Sequence, residues 1–124
     1  MTSLDAQPPL TEETFWAILN GDMTDEQVNR LLWHCLGYRE REDGSWDGSA
    51  VETDWIAQYP EPPDFIGSRP ATVKLTRSIP AEHKQLLKEQ LGFKGYTVDE
   101  LTPNRTRRAT AVSWLLSYGQ QLVT

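Results

Sequence analysis

Cysteine occurs once in these 124 residues, at Cys35, so no intramolecular disulfide can form and a reducing compartment is expected. No run approaches about 18 apolar residues, so no transmembrane helix is expected. The first ten residues have neither the cationic start nor the apolar stretch of a secretory leader, and the expected location is cytoplasmic. Glycine-rich phosphate loops are missing, since neither a Gly-x-Gly-x-x-Gly nor a Walker pattern occurs. Two histidines and one cysteine give no zinc-ligand spacing. The acidic stretch Asp43, Asp47, Glu52 and Asp54 does not meet the ligand positions of a calcium loop. No metal and no cofactor are therefore expected.

Catalytic groups are equally sparse. His34 and Cys35 are neighbours on a helix, so their side chains diverge by about 100° and cannot form a thiolate–imidazole pair. Cys35 falls among Val28, Leu31 and Leu32, the position of an inert buried thiol. His83 lies one turn before Leu86 and Leu87 and reads as a boundary residue. The balance leans against an enzyme.

What the chain does have is a separation of charge. Residues 1–64 carry 14 Asp/Glu and 3 Lys/Arg, a net of −11, whereas residues 65–124 carry 4 and 9, a net of +5; together they give −6. Such sorting implies internal electrostatic docking or a basic face kept for an anionic partner.

Length and patterning predict one globular domain over 10–124, after a flexible tail over 1–9, with an acidic half at 10–64 and a basic half at 65–124. Thr11 is placed to cap a first helix and Thr24 with Gln27 to form a capping box for a second, which Gly37 closes. Tyr38–Asp47 reads as a short hairpin around Asp43-Gly44. Thr53 is expected to cap a short helix over Asp54–Tyr59. Ala71–Ile79 has β-type composition, and a helix is expected from Pro80 to Leu91. Thr97 with Glu100 forms another capping box. A last helix, uncharged from Ala109 onward, should run from Pro103 to about Gln121 and be the central one. Leu31-Leu32, Leu36-Gly37-Tyr38 and Leu86-Leu87, Leu91-Gly92-Phe93 echo each other, as a duplication or as a reused helix stop. The expected class is α+β, helix-dominated, with four or five helices and a few short strands.

The strongest oddity is Arg105, Arg107 and Arg108 in the opening turns of the last helix, where the macrodipole disfavours cations by about 0.3–1 kcal/mol each. Helical geometry puts Arg105 and Arg108 on the side of Ala109, Val112 and Leu116, with Arg107 at the flank. Such arginines need a partner, either an external anion or a carboxylate of the acidic half. Arg69, Lys74 and Arg77 lie on or beside the expected strand, which would turn Lys74 and Arg77 to opposite sides. Thr106, Thr110, Ser113 and Ser117 form a narrow polar stripe on the last helix. Among five tryptophans, Trp33 and Trp46 are the interface candidates.

The stretches from Arg69 to Pro80, from Lys84 to Gly95 and from Thr106 to Thr110 give the chain a likeness that extends over about Leu10–Gln121. It resembles a group of small cyanobacterial and plant plastid proteins known only as a domain of unknown function. That resemblance implies a cyanobacterial cytoplasmic setting and no residue role. The first expectation for function is a non-enzymatic assembly or regulatory factor. It would bind an acidic protein partner through Arg69, Lys74, Arg77, Arg105, Arg107 and Arg108. Nucleic acid or a phosphate ligand on the same arginines is the second, and a small enzyme with an anionic substrate the weakest.

Overall fold

The chain forms six α-helices, two 3-10 turns and one hairpin in a computed structural model that describes residues 9–123; the tail expected over 1–9 lies, except for Pro9, outside the described residues. In order these are α1 (Glu12–Leu19), α2 (Asp25–Leu36), β1 (Arg39–Glu40), β2 (Trp46–Asp47), α3 (Thr53–Gln58) and α4 (Arg69–Arg77). A 3-10 turn (Ala81–His83), α5 (Leu86–Leu91), a second 3-10 turn (Val98–Glu100) and α6 (Pro103–Val123) complete it. The two strands pair antiparallel, Arg39 with Asp47 and Glu40 with Trp46. The class is the expected helix-dominated α+β, with one or two helices more than the sequence suggested.

Helix α6 is central. Ala111, Val112, Leu115 and Leu116 are buried along it, and α1, α2, α4 and α5 all pack on it. These positions recur one turn apart and form the buried apolar stripe of the helix.

The local signals act as their chemistry requires. Thr11 Oγ1 accepts from the Thr14 N–H at 3.3 Å. The Thr24 box is closed both ways, by Gln27 N–H to Thr24 Oγ1 at 3.1 Å and Thr24 N–H to Gln27 Oε1 at 2.8 Å. Behind it, Val28, Leu31 and Leu32 bury one face of α2. The echo with α5 is limited to the stop: Gly92 also takes a left-handed conformation, but α5 has six residues where α2 has 12.

Three expectations are corrected. Ala71–Ile79 is not a strand, because Ser68 Oγ caps Ala71 N–H at 3.4 Å and Pro70 suits a first turn. Ala71, Leu75 and Ile79 then fall at i, i+4 and i+8 and are buried, which outweighs the β-type composition. Pro80–Leu91 is not one helix, since its apolar residues (Ala81, Leu86, Leu87, Leu91) leave a four-residue gap and no continuous stripe. His83 instead fastens the 3-10 turn to α6, its Nδ1 lying 2.8 Å from Ser117 Oγ. Thr53 is the first residue of α3 and not its cap; Glu52 precedes it without a side-chain capping bond.

Gly37 ends α2 at φ +111°, and the Tyr38 N–H then bonds Trp33 O at 3.0 Å. A Cβ on Gly37 would stand 2.6 Å from Ala50 O, a backbone atom that cannot turn away. Gly37→Ala is therefore expected to destabilise the fold by about 2 kcal/mol or more in urea melts. Gly44→Ala serves as the control, because that glycine has open space around it and carries only the backbone strain.

Candidate functional site

The cationic residues are positioned by a turn, residues 64–67, that joins the acidic half to α4. Asn29, 5% exposed on α2, donates to Asp64 Oδ1 at 2.7 Å and accepts from Phe65 N–H at 2.9 Å. The same Asp64 Oδ1 accepts from Ile66 N–H at 3.1 Å and Gly67 N–H at 2.9 Å. Thr72 Oγ1 of α4 donates to Phe65 O, and Arg107 Nη1 of α6 donates to Ile66 O at 2.9 Å. Three helices thus share one turn, and α4 is held at a fixed place against α6. Sequence reasoning did not find Asn29; the signal was a polar residue between Val28 and Leu32 on a face otherwise apolar.

Once α4 is a helix, Pro70, Val73, Lys74 and Arg77 share one face at i, i+3, i+4 and i+7, so Lys74 and Arg77 are on the same side and not on opposite ones. That face, with Arg69, borders a cleft of about 600 Å³ whose other wall is Asp54, Trp55 and Gln58 of α3. Lys74 Nζ lies 3.2 Å from Asp54 Oδ2 and 4.9 Å from the centre of the Trp55 ring. The Asp54 side chain is 84% exposed, so this pair contributes at most about 1 kcal/mol. Arg69 and Arg77 are exposed and have no ion-pair partner among the described residues.

The arginines opening α6 divide. Arg108 is 5% exposed and fully engaged: Nη2 to Asp25 Oδ1 at 2.8 Å, Nε to Asn104 Oδ1 at 2.8 Å and Nη1 to Ile18 O at 3.0 Å. Arg105, expected beside it on the buried side, is exposed; it donates to Glu100 O at 2.8 Å and covers the Tyr96 ring at 5.9 Å. On this turn of α6 the side bearing Arg105 meets residues 96–100, the segment just before the helix, and not the core. Arg107 is half-buried and shares with Arg69 the lining of a groove between α4 and α6. Three of the six candidates therefore meet at the α3–α4 cleft, Arg107 joins Arg69 on the other side of α4, and Arg105 and Arg108 stand elsewhere.

Trp33 and Trp46 pack edge to face with centres 5.4 Å apart, and Trp33 Nε1 donates to Pro63 O at 2.6 Å. Both are half-buried, fastening the hairpin to α2. Burial pushes the Cys35 thiol up to about 11. Among the described residues no three His, Cys, Asp or Glu side chains gather where they would hold a metal, and no helix is long and apolar enough to cross a membrane.

A family model described as "Domain of unknown function (DUF1823)" matches residues 9–120. A solved structure described as "Solution NMR structure of the protein" is 52% identical, with a TM-score of 0.84, and the match covers 96% of this chain and 100% of that one. No curated protein matches the chain.

Three outcomes follow from these surroundings. Arg108→Ala should cost about 3 kcal/mol in urea melts, because it leaves the buried Ile18 O and the half-buried Asn104 Oδ1 without their donor. The Asn104 amide, and then Arg108, hold the Asp25 carboxyl below its usual range against the opposing effect of burial. The node's stabilisation is thus complete above that range and is lost as pH falls through the folded-state pKa. Asp25→Asn should accordingly lose less stability than the wild type between pH 7 and pH 3. Cys35, almost entirely a thiol at neutral pH, should react with a disulfide reagent far more slowly in the native protein than in urea.

Proposed function

The chain belongs to that family, described as a domain of unknown function (DUF1823), and since the description assigns no chemistry to inherit, we propose that the protein is a non-enzymatic interaction factor that docks an acidic segment of a partner protein in the α3–α4 cleft. The observation that carries this reading is the meeting of Arg69 and Arg77, both exposed and unneutralised, at one concave site in a chain of net charge −6. Guanidinium groups bind carboxylates in bidentate fashion, and a local positive field steers acidic partners even when the whole molecule is anionic. Pro70 and Val73 add apolar wall between the charges, which suits a polypeptide better than a bare ion.

The same guanidinium groups also suit phosphate, which keeps nucleic acid as a second reading. It is weaker, because the aromatic residue of the cleft, Trp55, is 5% exposed and offers no free face for a base to stack on. Asp54, the carboxylate lining the cleft, stands mostly in solvent beside Lys74 with no histidine in the lining, which makes an enzyme the weakest reading. The compartment implied by the resemblance, the cyanobacterial cytoplasm, belongs to the same proposal.

A fluorescein-labelled twelve-glutamate peptide should bind, and its affinity should fall severalfold between 50 and 200 mM salt. Arg69→Glu and Arg77→Glu should each weaken it about tenfold, some 1.4 kcal/mol, with unchanged melting because both residues are exposed. Arg105→Glu should leave binding intact. Equal binding by the double variant, or tighter binding of a twelve-residue oligothymidylate, overturns the reading.

A further inference from the structure

On its other side α4 borders a second depression, formed with α6. It consists of two hollows of about 530 and 290 Å³ that share Thr76, Thr106 and Thr110 and so run on from one another. Along α6 the lining extends from Pro103 to Ser113, a length of about 15 Å at 1.5 Å per residue, or nearly three helical turns.

By composition the walls look polar; by geometry they do not. The hydroxyls of Thr72, Thr76 and Thr110 are each turned back onto backbone carbonyls, of Phe65, Thr72 (3.0 Å) and Thr106 (3.3 Å) respectively. A threonine whose Oγ1 is occupied in this way presents its methyl instead. The groove surface is therefore largely methyl groups together with Val73, Pro103 and Leu101, with the hydroxyls of Thr106 and Ser113 as polar points on it. Leu101 is 54% exposed and, with Val98, is one of two large apolar side chains left mostly in solvent among the described residues.

Charge is confined to the two ends. Arg69 and Arg107 stand at one and Lys84 at the other, and no carboxylate lines either hollow although the chain has 18. Arg69 and Val73 also line the α3–α4 cleft, so the two depressions meet across α4. An occupant is thus required to be apolar along its middle, acidic at its ends and about three turns long.

We infer that the α4–α6 groove receives the apolar face of a short amphipathic helix belonging to an acidic partner protein, with carboxylates flanking the anchors and meeting Arg69, Arg107 and Lys84. This rests on the docking reading above and names the partner's chemistry: apolar side chains at i, i+4 and i+7 between Asp or Glu residues. A nucleic acid would leave the methyl-lined floor unused. A second copy of this chain would have to present such a helix itself.

The test selects a displayed library of random fourteen-residue peptides on the full chain and measures two enriched peptides by fluorescence anisotropy. The enriched sequences should be acidic, with Leu, Ile, Phe or Met at helical spacing. Thr106→Glu, an exposed position near the positive end of α6, should weaken them at least tenfold without lowering the melting temperature. Thr110→Trp, which fills the groove, should do the same, and the two variants together separate lost binding from lost folding. Peptides that resist both variants but fail on Arg69→Glu/Arg77→Glu leave the cleft standing and overturn the groove. Enrichment of neutral or basic sequences, or of nothing, overturns both. A dimer in sedimentation that Thr110→Trp dissolves overturns the groove as a partner site and assigns it to self-association.

Discussion

The spacing between α4 and α6 governs every feature of the cationic surface, and that spacing is set by how the 64–67 turn satisfies its own polar atoms. Phe65 and Ile66 are buried, so their peptide groups have no water to bond. Asn29 supplies the acceptor for Phe65 N–H, Asp64 collects the next two N–H groups, and Thr72 and Arg107 take the two carbonyls. Every one of these partners comes from the turn itself or from a helix it must hold. Gly67 belongs to the arrangement as well, since a Cβ there would collide with the Asp64 carboxylate. A buried group left unpaired costs about 1–3 kcal/mol, so the turn has little freedom to let α4 drift.

Depth explains why chemically identical side chains end with different roles. Arg108 sits where α1, α2 and α6 meet, and there an uncompensated charge is intolerable, so Asp25, Asn104 and Ile18 O surround it. Arg107, half-buried, needs only one carbonyl. Arg69 and Arg77 lie in solvent, where water meets the cost and no carboxylate is required. The segregation of charge along the chain accordingly does two things at once. Asp25 and Asp54 of the acidic half neutralise Arg108 and Lys74, and the other seven basic residues of the second half are in no ion pair among the described residues.

Features that depend on a few neighbouring residues were readable beforehand. The two capping boxes, the Gly37 stop, the hairpin and the central place of an α6 uncharged from Ala109 onward all follow from short-range chemistry or from one helix's own composition. Helix α4 was misread because Thr72, Val73 and Thr76 suggest a strand, whereas the recurrence of Ala71, Leu75 and Ile79 carries the helical period. That single error also separated Lys74 from Arg77. Which cations gather is a tertiary matter: Arg69 meets Arg107 only because the 64–67 turn folds α4 back along α6, and no spacing in the sequence contains that.

The β-branched composition that disguised α4 also suits the role given to the groove. Thr and Val are indifferent helix formers, so their presence on α4 and α6 costs a few tenths of a kcal/mol per residue relative to Ala or Leu. A leucine stripe in the same place would leave a broad apolar patch in water and favour irreversible association. Thr76 and Thr110 keep their hydroxyls on carbonyls of their own helices and expose a methyl, so the free protein tolerates the groove while an apolar anchor still finds a surface with few polar atoms to desolvate. Affinity then has to come from the ends, where Arg69, Arg107 and Lys84 stand, and it becomes dependent on salt and on the partner's charge. A contact built this way is selective and reversible, which is what distinguishes a docking surface from a subunit interface.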